Sequence, residues 1–334
     1  MGLCAAAASA PKGPPMTAQR DLKRRVSEGI LSFPATVFTP SDELDEAAFA
    51  AHIADLAVFR PAALVPAGGA GEVFSLSLNE HARIVTIAVT SAGDIPVIAG
   101  AGQGLANARD MAVAAERAGA AGILLFPPYL ITPEQAGLEA YVARVAAAVS
   151  IPVIVYSRDN GIIEPDTALR LADTCPNLIA VKDGTGDFEA LTSLRQRAGD
   201  RLALINGVPT AEIVARQYFA AGVMSYTSAV FTFLPAVACR FYAALHDDEG
   251  ALVNRFLDDF YVPLAALRRR RRGYAVSIVK AGLSIMGKPA GAVRPPLVDL
   301  TEAETRQLVA LIARAIEIAG DVPHAAPAVA RAVG

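Results

Sequence analysis

Residues 178–187 read LIAVKDGTGD: an apolar run ends in a lysine, then an aspartate and two glycines. The chain has only five lysines in 334 residues (Lys12, Lys23, Lys182, Lys280 and Lys288), so a lysine at the tip of a segment built for burial calls for a reason. Side chains alternate along a strand. If Lys182 points inward with Ala180 and Leu178, then Ile179 and Val181 face outward, and the small Ala180 leaves room below the amine. An apolar site penalises the ammonium form and lowers its pKa. The neutral amine is nucleophilic and can condense with a ketone to form a Schiff base. The alternative is a lysine that snorkels to the surface or pairs with Asp183 or Asp187, and local sequence leaves both readings open.

Other residues fit the same chemistry. Tyr156 ends the run PVIVY, where alternation places it inside with Ile154. A phenol there can relay a proton or donate to a developing oxyanion, or it can simply pack as core. Tyr129, after FPP, is a similar candidate. The loop AGGAGE (67–72) carries Gly69, Ala70 and Gly71 ahead of a helix. Its backbone N–H groups can hold a carboxylate, or the loop is a plain tight turn. It lacks the G-x-G-x-x-G spacing of a dinucleotide site. A second glycine-rich string, GAGQG (100–104), reads as a turn. Arg158 can clamp a second carboxylate or serve only the surface.

The elements that must position these residues form a repeating pattern. Short apolar runs at 30–39, 63–68, 96–102, 122–128, 152–158, 178–184, 202–208 and 222–228 alternate with amphipathic stretches of helical period. Ser77 and Glu80 have capping-box spacing before one of these stretches. Eight β–α repeats predict a (β/α)8 TIM barrel rather than a doubly wound sheet. The unusual residues cluster at the carboxyl ends of the runs: 68–72 after the second, Tyr129 after the fourth, Tyr156 on the fifth, Lys182 on the sixth, Asn206 on the seventh and Ser228 on the eighth. That rim carries the chemistry of such barrels. Beyond residue 247 the strand signals stop, and 251–272, 274–286 and 302–318 predict a C-terminal three-helix appendage. The expected layout is a disordered extension over 1–27, a barrel over 28–247, a helical region over 248–320 and a flexible tail over 321–334, with Met16 a candidate start.

Composition narrows the function classes. Net charge is −3 with a pI near 5.9, so no global basic field attracts nucleic acid. The five arginines at 268–272 read as a solvated helix end or a subunit contact. Cys4, Cys175 and Cys239 show neither metal spacing nor a paired framework, which fits a reducing cytoplasm. The four histidines lie far apart, which argues against zinc. The uncharged stretch 220–239 contains Gly222, Ser225, Ser228 and Pro235, and reads as strand, loop and helix rather than a membrane span.

Together these residues make the chain resemble the dihydrodipicolinate synthase / N-acetylneuraminate lyase family over roughly residues 28–300. The resemblance rests on GGAGE followed by FSLSLNEH, PPY at Tyr129, IVYSR at Tyr156, VKDGTGD at Lys182 and IVKAGLSIMGKPAGAVRPPL. Within the family, Gly68–Gly69, Tyr156–Arg158, KDG and the YTSAVF string beginning at Tyr226 are most similar to a branch of decarboxylating dehydratases. The resemblance implies a small-molecule keto-diacid substrate, an imine on Lys182, Tyr156 as the proton relay, and no metal or organic cofactor. It also implies a carboxylate held by Gly69, Ala70 and Gly71, with Tyr129, Arg158, Asn206 and Ser228 as further substrate contacts. A homotetramer is implied too. Relatives in that branch usually have Thr where this chain has Ala70. A sibling aldolase acting on 2-keto-3-deoxy sugar acids, and a barrel that binds keto acids without catalysis, are the alternatives.

Overall fold

The computed structural model describes residues 16–320. Eight strands run parallel: β1 (Glu28–Ser32), β2 (Ala63–Leu64), β3 (Ile98–Gln103), β4 (Gly122–Pro128), β5 (Val153–Ser157), β6 (Leu178–Asp183), β7 (Ala203–Asn206) and β8 (Met224–Ser228). Their order is β2-β1-β8-β7-β6-β5-β4-β3, and a parallel bridge between Leu64 and Val97 closes the ring. The architecture is therefore the (β/α)8 barrel that the alternating pattern predicts.

Helices follow the strands because each has an apolar stripe and a defined start. These are α2 (Glu46–Ala57), α3 (Leu78–Ser91), α4 (Leu105–Arg117), α5 (Gln135–Ala146), α6 (Pro165–Thr174), α7 (Phe188–Ala198), α8 (Ala215–Ala220) and α9 (Pro235–His246). Ser77 and Glu80 form the reciprocal capping box of α3, Asp187 caps α7, and proline opens α6 and α9. The uncharged stretch 220–239 is β8, a 3-10 turn and the start of α9. Among the described residues no helix is long and apolar enough to cross a membrane.

The amino-terminal part departs from the expected disorder. Residues 16–26 form helix α1 (Met16–Val26). Its Leu22 and Val26 are buried with Leu31, Ala63, Ile98, Leu124 and Ile154, so the helix closes the bottom of the barrel with apolar surface. Residues 1–15 and the expected tail at 321–334 lie outside the described residues. At the other end, α10 (Gly250–Phe256) continues through a π turn (Leu257–Tyr261) into α11 (Val262–Arg268). Helices α12 (Tyr274–Ile285) and α13 (Glu302–Ala319) complete the appendage, and α13 starts on a Thr301–Glu304 capping box.

Strand alternation assigns most side chains to the expected face. On β5, Ile154 and Tyr156 join the inner cluster while Val153 and Val155 face the helices. On β6, Ala180 faces in and Val181 faces out, but Leu178 and Ile179 exchange the sides that simple alternation assigns. The cause is a register shift: Val153 pairs with Leu178 and Ile154 with Ala180, leaving Ile179 unopposed. Above the shift the alternation resumes, and Tyr156 pairs in register with Lys182.

Candidate active site

A cavity of about 490 Å³ opens at the carboxyl rim. Lys182 and Tyr156 stand on its floor, on neighbouring strands. Lys182 is only 4% exposed, and its nitrogen lies 3.6 Å from the Tyr156 ring centroid and 4.6 Å from that of Phe33. Neither of the carboxylates that could neutralise it does so. Asp183 accepts from Thr185 and Tyr218, and Asp187 accepts from the backbone of Glu189 and Ala190. Among the described residues the Lys182 amine has no hydrogen bond or ion pair. Burial, reinforced by the nearby positive charge of Arg158, holds its pKa well below the ordinary lysine range.

Tyr156 is fixed from three sides. Its hydroxyl donates to the Gly207 carbonyl at 2.7 Å, Arg158 donates to that hydroxyl at 3.1 Å, and Phe126 packs edge-on against the ring. Burial pushes the phenol's pKa up, and the Arg158 guanidinium pulls it back. Gly184 of the KDG string is required here, because a Cβ at that position would sit 2.8 Å from both Tyr156 and Arg158. Gly207 has the same kind of constraint: a Cβ there would lie 2.5 Å from Cγ and Cε of Lys182.

Gly69 and Ala70 line the cavity at the end of β2. The N–H groups of Gly69, Ala70 and Gly71 find no acceptor among the described residues, so they remain free for an anion. Gly71 itself does not line the cavity; its carbonyl accepts from Thr36 at 2.7 Å. The loop is anchored by Glu72, which takes a left-handed backbone conformation (φ 56°) and is fully buried. Its carboxylate pairs with Lys280 of α12 at 2.7 Å and accepts the Arg294 N–H at 3.0 Å. The appendage thus holds the 69–71 loop in place. GGAGE and IVKAG lie about 200 residues apart in the sequence, so their pairing is not a local pattern; a second scarce lysine inside an apolar run is its one sequence signal.

The remaining candidates divide. Arg158 and Ser228 line the cavity. Arg158 is tied to Asp159 at 2.7 Å as well as to Tyr156, and Ser228 donates to Glu212 at 2.5 Å. Asn206 does not line it. Asn206 pairs in register with Asp183 on the outward side of the wall, where its amide donates to Ala211 and its oxygen accepts from Val208, bracing the loop after β7. Tyr129 also stands outside the cavity, 69% exposed on the loop after β4. In its place the structure brings in Glu212, from the 3-10 turn Ala211–Val214, and Arg268 and Arg271, from the arginine run. Neither Arg268 nor Arg271 has a carboxylate partner among the described residues. Among the described residues no cluster of His, Cys, Asp or Glu has the geometry of a metal site.

This arrangement can be set beside known proteins. The sequence profile of the "Dihydrodipicolinate synthetase family" matches residues 26–315. A protein of Bradyrhizobium diazoefficiens named "Probable 5-dehydro-4-deoxyglucarate dehydratase" is 50% identical over 298 residues, 89% of this chain and 95% of the relative. One of the same name from Rhizobium rhizogenes is 48% identical over 292 residues, 87% of this chain and 97% of the relative. Among solved structures, dihydrodipicolinate synthase from Bacillus clausii matches with a TM-score of 0.80 at 26% identity, over 87% of this chain and 98% of its own. A prophage protein of the dihydrodipicolinic acid synthase family from E. coli K12, in complex with pyruvate, matches with a TM-score of 0.77 at 25% identity, over 86% and 98%.

Proposed function

The chain belongs to the dihydrodipicolinate synthetase family, and from that premise we propose that it is a Schiff-base-forming, decarboxylating hydro-lyase. Its substrate is 5-dehydro-4-deoxy-D-glucarate, and its products are 2,5-dioxopentanoate, CO2 and water. The observation that carries this reading is the Lys182 amine: buried, without a counter-ion among the described residues, and facing a cavity at the rim. A cationic lysine could not stand there uncompensated at low cost, whereas a neutral one is a nucleophile.

Lys182 attacks the substrate ketone at C5, and Tyr156 gives its proton to the departing oxygen, which leaves as water. The resulting phenolate is stabilised by Arg158, whose guanidinium already donates to that oxygen. The iminium acidifies C4, and the Tyr156 phenolate takes the C4 proton, which restores the phenol. The enamine expels the C3 hydroxyl, and the conjugated iminium then accepts the electron pair released as C1 leaves as CO2. The resulting dienamine is protonated at C4, its C2 enol becomes the aldehyde as C3 takes a proton, and hydrolysis of the iminium so formed returns the free amine. The lysine is the electron sink, so these steps need no organic cofactor or metal. The free N–H groups of Gly69 and Ala70, the two loop residues that line the cavity, hold the C6 carboxylate. Arg268 and Arg271 supply unpaired positive charge for the second carboxylate, which favours a diacid. Ala70 contributes no hydroxyl at the loop, leaving backbone donors to do the holding.

We further propose a cytoplasmic homotetramer. The apolar patch formed by Tyr129, Leu130, Ile131 and Ile162, all exposed beside the β4 rim, supports a subunit contact there. To test the activity, the protein is incubated with the keto-diacid and borohydride, and its peptides are mapped. The expected result is a mass adduct on the Lys182 peptide and, without borohydride, CO2 release with no pyruvate. Pyruvate formation, or an adduct elsewhere, would overturn the reading.

A further inference from the structure

One wall of the cavity holds a carboxyl group that the steps above leave unused. Glu212 is 2% exposed and lines the cavity beside Ser228. Two other shielded acids are each held by a cation, Glu72 by Lys280 and Glu80 by Arg294. Glu212 is not. Its side chain accepts from Ser228 Oγ, which in turn accepts the Phe231 N–H at 3.0 Å. Arg268 on α11 is close enough for its charge to act on Glu212, yet the two form no ion pair among the described residues. From β8 and the π turn, the phenols of Tyr226 and Tyr261 share its field, and both hydroxyls are buried without a hydrogen-bond partner among the described residues. Behind them on α9 lie Tyr242 and Cys239. Such surroundings favour the neutral acid. Burial pushes the Glu212 pKa up to about 7, against the opposing pull of the Ser228 hydrogen bond and Arg268.

We propose that Glu212 is the catalytic acid that protonates the departing C3 hydroxyl, a role that rests on the dehydratase reading above. Hydroxide is a poor leaving group, and the enamine cannot expel it without a proton at that oxygen. As the enamine nitrogen pair re-forms the C5 iminium, the C4–C3 double bond forms and the C3–O bond breaks. The Glu212 proton leaves in the water molecule, and the residue becomes a carboxylate. Solvent then restores that proton, in line with the one proton that the overall conversion of dianion to monoanion, CO2 and water consumes. The two protonic groups are thereby separated: Tyr156 serves C4 and Glu212 serves the C3 oxygen.

The test uses the full-length protein and Glu212→Gln in D2O, following deuterium entry at substrate C4 alongside CO2 release. The variant should keep C4 exchange near the wild-type rate, while turnover falls by about 10²–10⁴-fold. Equal loss of exchange and turnover would overturn the proposal, because Glu212 would then act earlier or only on structure. A measurement on the unaltered protein guards against a variant that fails to fold. There, the ratio of exchange to turnover should climb as pH rises through the Glu212 range, and a flat ratio would also overturn the proposal. If the wild-type protein gives neither a Lys182 adduct nor CO2, the dehydratase reading itself fails, an outcome distinct from both.

Discussion

Gly207→Ala isolates the placement of the lysine from its chemistry. The added methyl would meet Cγ and Cε of Lys182 at 2.5 Å and the Asp183 carbonyl oxygen at 3.0 Å, whereas ordinary contact begins at 3.4 Å. The Asp183 oxygen is held in place, since it accepts the Gly207 N–H at 2.7 Å. The lysine stem must therefore give way, and its nitrogen moves by roughly 1 Å, a displacement that can cost about 10²-fold in rate. Overpacking would lower stability by about 1–3 kcal/mol, which a protein of this size tolerates. The expected result is a folded variant with kcat down about 10²-fold, KM for the keto-diacid little changed, and slow borohydride trapping. Steady-state kinetics with a urea melt of the same preparation separates the two effects. A folded Gly207→Ala protein within about threefold of wild-type kcat would refute the claim that packing at this glycine sets the amine's position.

Further predictions concern the charges around the site. In the unfolded chain Lys182 holds its proton up to the ordinary pKa of 10.5, whereas in the folded protein it loses it well below that value. Between the two, the unfolded state binds more protons, so wild-type stability rises with pH across that window and is lost as pH falls. Lys182→Met should therefore be inactive and more resistant to urea than wild type at pH 7, with an advantage that shrinks as pH approaches 10; a constant gap would count against a neutral buried amine. Lys280→Met leaves the fully buried Glu72 carboxylate without its cation and should cost about 3–5 kcal/mol in urea unfolding. Adding Glu72→Gln should recover much of that loss, and a single-variant cost below about 1 kcal/mol would show the pair to be unimportant. Arg268→Ala should raise KM for the diacid by about ten- to a hundredfold, the scale of a charge-assisted contact, while leaving borohydride trapping of pyruvate unchanged. Equal effects on both ligands would remove Arg268 from the second carboxylate's site.

Lys182, Tyr156 and the 69–71 loop were legible because their placement depends on local rules. A strand's alternation and its carboxyl tip are properties of a few consecutive residues, and barrel closure then gathers the tips on one rim. The same rule, applied to β7, places Asn206 on the outer face: its register partner is Asp183, and the inner partner of Lys182 is Ile205. The exchange of Leu178 and Ile179 was not legible, since a bulge depends on the partner strand rather than on the strand's own sequence. Glu212 and Arg268 were hidden for a related reason. Neither lies on a strand, and they reach the cavity only because the turn after β7 packs on β8 and because α11 ends at the rim.

The two buried lysines show what kind of information was missing. Lys182 and Lys280 are alike in sequence, each a single cation in an apolar run, and both are almost fully buried. In both, burial lowers the pKa. The difference is the partner. For Lys280, the Glu72 carboxylate opposes the effect of burial and the Ala292 carbonyl accepts a hydrogen bond, so the cation can persist and serves as an anchor. For Lys182 nothing opposes it, and the Arg158 charge pushes the same way. Burial alone therefore does not make a lysine a nucleophile; burial without a carboxylate does. That absence is set by Asp183 turning to Tyr218 and Thr185, and by Asp187 turning to the α7 backbone. The KDGTGD string thus places two acids beside the lysine in sequence and keeps both away from its amine in space.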